Sequence, residues 1–135
     1  MTASETDLQE LLAGLTPRLN AGQFVFITLK ERLPAHVRPL ASFHEWEGES
    51  VVLRVEQADT IGLKHGADTY AWITLGVQSP LDSVGLTAAV ASALATEGIP
   101  CNVVAAFHHD HLFVPSNDGQ KALEILRQLQ RKTKE

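Results

Sequence analysis

TYAWITLGV, residues Thr69 to Val77, decides the fold. Ala71, Ile73, Leu75 and Val77 alternate with Tyr70, Trp72 and Thr74. Strict alternation places each set on its own face of a β-strand. The aliphatic set suits a face covered by helices, and the aromatic set suits the opposite, open face. A stretch of the same style stands 46 positions earlier, where FVFITL, Phe24 to Leu29, lies beside YAWITL, Tyr70 to Leu75. Phe24 and Phe26 fall in the aromatic register. A second pair, Ala41 to His44 beside Ala105 to His108, is offset by 64. The extra 18 positions match the length of a helix read from Pro80 to Glu97. The chain therefore reads as two β-x-β-β-α units, with a loop at x in the first and a helix at x in the second. Such a unit lays its helices on one face of an antiparallel sheet, an α+β arrangement. An open face carrying aromatics invites a partner, so a homodimer or higher homo-oligomer is expected.

The remaining elements extend outward from these strands. Leu8, Leu11, Leu12 and Leu15 recur at helical spacing, with Thr6 and Gln9 as a capping box and Pro17 as the stop. ASFHEWEGESVVLRV, Ala41 to Val55, predicts a hairpin turning at Glu47-Gly48-Glu49, and Glu56 to Leu63 predicts a short helix. Pro80 at a first helical position with Asp82 two residues on predicts a helix start, its stripe Leu86, Val90, Ala93 and Leu94, its end Gly98. CNVVAAFHH predicts a strand and DHLFVP its return. Ala122, Ile125, Leu126 and Leu129 mark a last amphipathic helix.

Composition narrows the function classes. The chain has 135 residues, 44% hydrophobic and 20% charged, enough to bury a core without a disulfide or metal. A net charge of −5 argues against nucleic acid as a partner, because that binding runs on Lys and Arg. The one cysteine, Cys101, excludes an internal disulfide and a cysteine zinc cluster, and favours a reducing, cytoplasmic setting. MTASETDLQELLAGL has no basic start and no long apolar run, so it does not read as a signal peptide. No stretch approaches the ~18 apolar residues of a membrane helix, so no membrane partner is expected. No phosphate loop, dinucleotide fingerprint or nucleophile elbow occurs, and no cofactor is expected.

The run VGLTAAVASALATEGIPCNVVAAFHHDHLFVPSNDGQKALEIL, Val84 to Leu126, resembles the second half of a family of small tandem ACT-like proteins, some of unknown function. The FVFITL strand, the ASFHEWEG hairpin and the SPLDSVGLTAAV turn also have counterparts there. The resemblance implies a ferredoxin-like (ACT-like) fold with units at 1–66, including the N-terminal helix, and 67–135. The first unit lacks the first ACT helix. The resemblance also implies a regulatory, non-catalytic role, with an amino acid or similar small effector bound at the strand-to-helix turn. That turn, Ser79 to Leu86, supplies Ser79, Asp82, Val84, Gly85 and Leu86. Helix N–H groups there suit a carboxylate, and Asp82 suits an ammonium group. Asp82 as a helix cap and Gly85 as a packing glycine are the competing structural reading. Asn102, Val103, Val104, Ala105 and Phe107 form the expected facing wall, although Val103 and Ala105 also suit an ordinary core strand.

Two other readings stay open. A protein-interaction scaffold would need no ligand. A small metal protein would use His108, His109, Asp110 and His111, but a turn in that segment breaks the alternation such a site needs. Cys101 reads as a buried structural thiol, and Trp46 and Trp72 as packing residues.

Overall fold

The computed structural model describes residues 3–135. In chain order the elements are α1 (Ala3–Ala13), β1 (Pro17–Leu19), β2 (Phe24–Leu29), β3 (Ala41–Glu45), β4 (Gly48–Arg54), α2 (Val55–Thr60), β5 (Tyr70–Leu75), α3 (Leu86–Thr96), β6 (Asn102–Ala105), β7 (Asp110–Pro115) and α4 (Gly119–Lys134). A 3₁₀ turn at Ser116–Asp118 leads into α4. The expected capping box at Thr6 rests on a side chain outside the described residues; α1 itself begins at Ala3.

The chain packs as two units. The smaller is Gly22–Tyr70, a β-loop-β-β-α unit. Its strands lie in the order β3, β4, β2, all antiparallel. Val25 sits opposite Leu53 and Ile27 opposite Val51, which puts their side chains on one face. That face is closed by Ala58 of α2, with Leu33, Val37 and Leu63 packed around it. The hairpin turns at Trp46 and Glu47, because the register continues through Glu45 opposite Gly48. The turn is therefore one residue earlier than the sequence implied.

The larger unit runs through Ala21 and resumes from Ala71 to Glu135. Packing thus groups α1 and β1 with the C-terminal repeat, where the repeat pattern suggests a division after residue 66. β1 is antiparallel to β5, β5 lies beside β7, and β7 is antiparallel to β6. Ala71, Ile73 and Leu75 are buried, while Tyr70, Trp72 and Thr74 are not, as the alternation predicted. The buried set meets Leu12 of α1, Leu15 just after that helix, Leu86, Val90 and Leu94 of α3, and Ala122 and Leu126 of α4. The three helices pack on one another over this face.

Three expectations are corrected. First, α3 begins at Leu86, not at Pro80. The Ser83 N–H donates to the Pro80 carbonyl at 3.0 Å, which closes a turn. Gly85 at φ 102° then breaks any helical path before Leu86. Second, β6 stops at Ala105, since the Ala106 N–H donates to the His109 carbonyl at 3.1 Å and closes the hairpin. Third, Ala41 opens β3 whereas Ala105 closes β6, so the second repeat anchor is displaced from the strand alignment. β1 was not foreseen, because Pro17 signalled only a helix stop; proline is well tolerated at the first residue of a strand.

Gly119 shows how closely α4 approaches the sheet. A Cβ there would stand 2.9 Å from the Ala71 Cβ. Gly119→Ala is therefore expected to lower stability by about 1–3 kcal/mol through overpacking, although helix propensity alone would favour alanine by up to ~1 kcal/mol. Leu94→Ala should cost about 2–5 kcal/mol by opening a core cavity. Urea unfolding checks both, and a raised midpoint for Gly119→Ala would refute the close approach.

Candidate functional site

The turn between β5 and α3 is held by two contacts to the β6–β7 hairpin. The buried Ser79 hydroxyl donates to the buried Asp110 carboxylate at 3.3 Å. The His109 Nδ1 stands 3.4 Å from the Val77 carbonyl oxygen. The 77–86 turn and the 106–110 turn therefore lie together at one end of the larger unit. Three large apolar side chains are exposed there: Leu81, Val84 and Phe107.

A cavity of about 410 Å³ opens on this turn. One wall is Pro80, Asp82, Ser83 and Val84. The other is α1, through Asp7, Leu8, Glu10 and Leu11. Leu8, Leu11, Pro80 and Val84 supply its apolar lining, and three carboxylates stand beside them, which suits a small ligand with an apolar body and a positive group. Beyond Val84, no side chain caps the N-terminus of α3, and its first turn contains no acid. That leaves N–H groups and a positive dipole end two residues from the cavity wall. Gly85 sits between them, and a Cβ there would stand 3.0 Å from the Leu8 Cδ2 of the cavity wall.

The expected site residues are thus distributed. Asp82 and Val84 line the cavity, and Gly85 adjoins it. Leu86 is buried in the core, so only its backbone is available to a ligand. Ser79 is engaged with Asp110. None of Asn102, Val103, Val104, Ala105 and Phe107 lines this cavity. Asn102 donates to the Phe113 carbonyl at 3.3 Å, Val103 packs on the core, Val104 and Ala105 face out, and Phe107 lies edge-on to His108. The α1 wall was missed. Its signal was present: Asp7 and Glu10, three apart, share a helix side next to the leucine stripe.

The histidine cluster is separated by the turn. His111 joins a network on the open face of β5 and β7. The Trp72 indole N–H donates to His111 Nδ1 at 3.0 Å, and Thr74 Oγ1 stands 3.1 Å from the same nitrogen. The Asn20 amide donates to Thr74 Oγ1 at 2.9 Å. Among the described residues no group of three or more His, Cys, Asp or Glu side chains is arranged to hold a metal ion. Cys101 is half-buried, and burial pushes its thiol above the ordinary value, which disfavours the thiolate. Trp72 packs as expected and also donates its N–H; Trp46, at the hairpin turn, is instead fully exposed.

Comparison with known proteins gives the following. Two family models, both described as ACT domain, match residues 3–75 and 69–128. A solved structure of a Vibrio cholerae protein of unknown function, described as a possible transport protein, is 42% identical. It covers 91% of this chain and 95% of its own, with a TM-score of 0.78. An Agrobacterium tumefaciens protein is 24% identical over 84% of this chain and 87% of its own, with a TM-score of 0.57. The ligand-free regulatory subunit of aspartate kinase from Thermus thermophilus shares the fold at 9% identity and TM-score 0.59, over 86% of this chain and 97% of its own. No curated protein matches the chain. Among the described residues no helix is long and apolar enough to cross a membrane.

Two histidines give the fold a pH signature of opposite signs. Burial holds the His111 imidazole below its ordinary value, His109 adds to this and Asp110 opposes it. A proton on Nδ1 would also face the Trp72 N–H. The unfolded chain accepts that proton near pH ~6.5, so this contribution is full above that pH and is lost as pH falls through the lowered folded value. His65 is raised, first by its hydrogen bond to Asp59 and then by the Gly66 carbonyl. Its contribution is full below pH ~6.5 and is lost as pH rises through the raised value. His111→Gln is expected to flatten the acid-side fall in melting temperature. His65→Ala should lower the melting temperature at mildly acid pH and leave it unchanged in alkali. An acid limb identical in His111→Gln and the parent protein would refute the assignment.

Proposed function

The chain belongs to the ACT-domain family, and on that premise we propose that it is a non-catalytic regulatory module binding a small amino-group-bearing effector, most simply an amino acid. The cavity between α1 and the 80–84 turn carries this reading. Asp82, with Asp7 and Glu10, would hold the ammonium group. The uncapped N-terminus of α3 would hold the carboxylate through its N–H groups. Leu8, Leu11, Pro80 and Val84 would cover the apolar part. Such a ligand ties α1 to the start of α3, two elements separated by the whole smaller unit in sequence. Binding therefore changes the freedom of the N-terminal helix, which is a means of signalling to a partner.

The residues Asn102 to Phe107, in β6 and the turn that follows it, take a supporting part in this reading, through the hairpin that Ser79 and His109 tie to the ligand turn. A cytoplasmic location fits the single cysteine. Self-association of the chain belongs to the same reading and is supported by the exposed aromatics of the Gly22–Tyr70 unit.

The test is a thermal-shift screen of the untagged protein against the twenty amino acids and related amines. A ligand at ~100 times its Kd should add about 2.7 kcal/mol, a shift of several degrees for a chain of this size. Asp82→Asn combined with Glu10→Gln should weaken binding about tenfold or more. Gly85→Ala should weaken it by pushing Leu8 into the cavity. The reading fails when no amine-bearing compound shifts the melt, or when the shift is identical in the Asp82 and Glu10 variant.

A further inference from the structure

The segment that leaves α1 is gripped by a side chain of α4. A helix ends with carbonyls that have no intrahelical partner. Ala13 is the last residue of α1, and its carbonyl accepts from the Gln130 Nε2–H at 2.9 Å. Thr16 follows with φ 48°, the one non-glycine residue of positive φ among the described residues. Left-handed backbone at a β-branched residue persists only where the surroundings over-determine it. Here the Thr16 N–H donates to Gln130 Oε1 at 2.8 Å, and the Thr16 hydroxyl donates to the Gly14 carbonyl at 3.0 Å. One amide therefore serves the helix end and the strained residue beyond it. It does so because donor and acceptor stand side by side on one planar group, which neither a carboxylate nor an ammonium provides.

The same segment meets the chain that leads to the other cavity wall. The Gly76 N–H donates to the Thr16 carbonyl at 2.9 Å, and the Val77 N–H to the Leu15 carbonyl at 3.2 Å. A Cβ on Gly76 would stand 3.0 Å from the Thr16 oxygen, so glycine is what permits this approach. Three residues after Val77 comes Pro80, the first cavity residue of the turn, and two residues before Ala13 comes Leu11, the last cavity residue of α1. Both walls thus spring from one junction, and Gln130, which does not line the cavity, is its third member. We infer that Gln130 is a positioning residue whose amide fixes the tilt of α1, and which, with the effector reading above as premise, sets the gap open to the ligand. The lever is long. Asp7 is six residues from Ala13, ~9 Å along the helix, so a tilt of ~10° at the junction displaces it by ~1.6 Å. Binding groups have to be held to within ~0.5 Å.

Two variants of the untagged full chain test this. Gln130→Met keeps the length and helix propensity of the side chain and removes both hydrogen bonds. Gln130→Glu keeps an acceptor for Thr16 but turns a second oxygen toward the Ala13 carbonyl. Amide hydrogen exchange followed by NMR without ligand is the first readout. In both variants Leu11, Leu12 and Ala13 are expected to exchange about tenfold faster, while Leu94 and Leu126 keep the parent rates. The Thr16 amide proton should move upfield in Gln130→Met and not in Gln130→Glu. Rates raised alike at all five amides show a contribution to overall stability alone and overturn the inference, as do unchanged rates in α1. The second readout is a thermal-shift titration with each of the twenty amino acids. A compound that binds the parent protein should bind Gln130→Met about tenfold more weakly, and equal affinity overturns the role of Gln130 at the cavity. No shift of the parent protein by any amino acid overturns the effector reading, while the exchange rates still decide whether Gln130 sets the tilt of α1.

Discussion

Ile73 has no exposed surface, and the larger unit is organised around its strand. β5 has β1 on one side and β7 on the other, and its aliphatic residues Ala71, Ile73 and Leu75 supply the sheet face on which three helices pack. A strand so placed has one permitted register, because a slip of one residue would turn Trp72 and Thr74 into the helices. The close approach of α4 follows from the same constraint. Its first residue can lie against Ala71 because both are small. The alternation also delivers Trp72 and Thr74 to the open face, where His111 and Asn20 satisfy them.

The candidate site depends on an interruption. Had helix α3 begun at Pro80, residues 80–85 would have formed a regular first turn with Asp82 as an ordinary acid of that turn. Instead the Pro80–Ser83 turn and the left-handed Gly85 delay the helix. The intervening residues stand off from the core and form a wall facing α1. The delay leaves the helix end without a side-chain cap, which costs stability unless water or a ligand supplies the missing partners. Local cost at a cavity wall is where a binding function is reasonably sought.

The two units use their open faces differently. In the larger unit, the exposed side of β5 and β7 is occupied by a hydrogen-bonded network of Asn20, Thr74, Trp72 and His111. In the smaller unit, the corresponding face of β2, β3 and β4 carries Phe26 and Phe43 with a charge at either end. One face is completed within the chain by polar pairing. The other carries a partly exposed Phe26, set edge-on to Tyr70 of its own unit, and an exposed Phe43, while α2, six residues long, lies on the opposite side.

Much of this was legible in the residues. The period-two pattern of Tyr70–Leu75 and Phe24–Leu29 specified strands and their buried faces, because side-chain direction in a strand is fixed by parity. The leucine stripe before Pro17 and the Ala122–Leu129 stripe specified helices for the equivalent reason. The tandem ACT fold followed from the run between Val84 and Leu126. The sequence did not determine the start of α3, since proline followed by an acid serves a turn as well as a helix. Nor did it reveal that α1, Asp7 and Glu10 included, stands across the cavity from Asp82. That contact joins residues more than seventy positions apart, and only the packing of α1 against the C-terminal repeat brings them together. Local backbone preference is written in neighbouring residues, whereas a cavity is made by the distance between elements, which is decided by how the whole core closes.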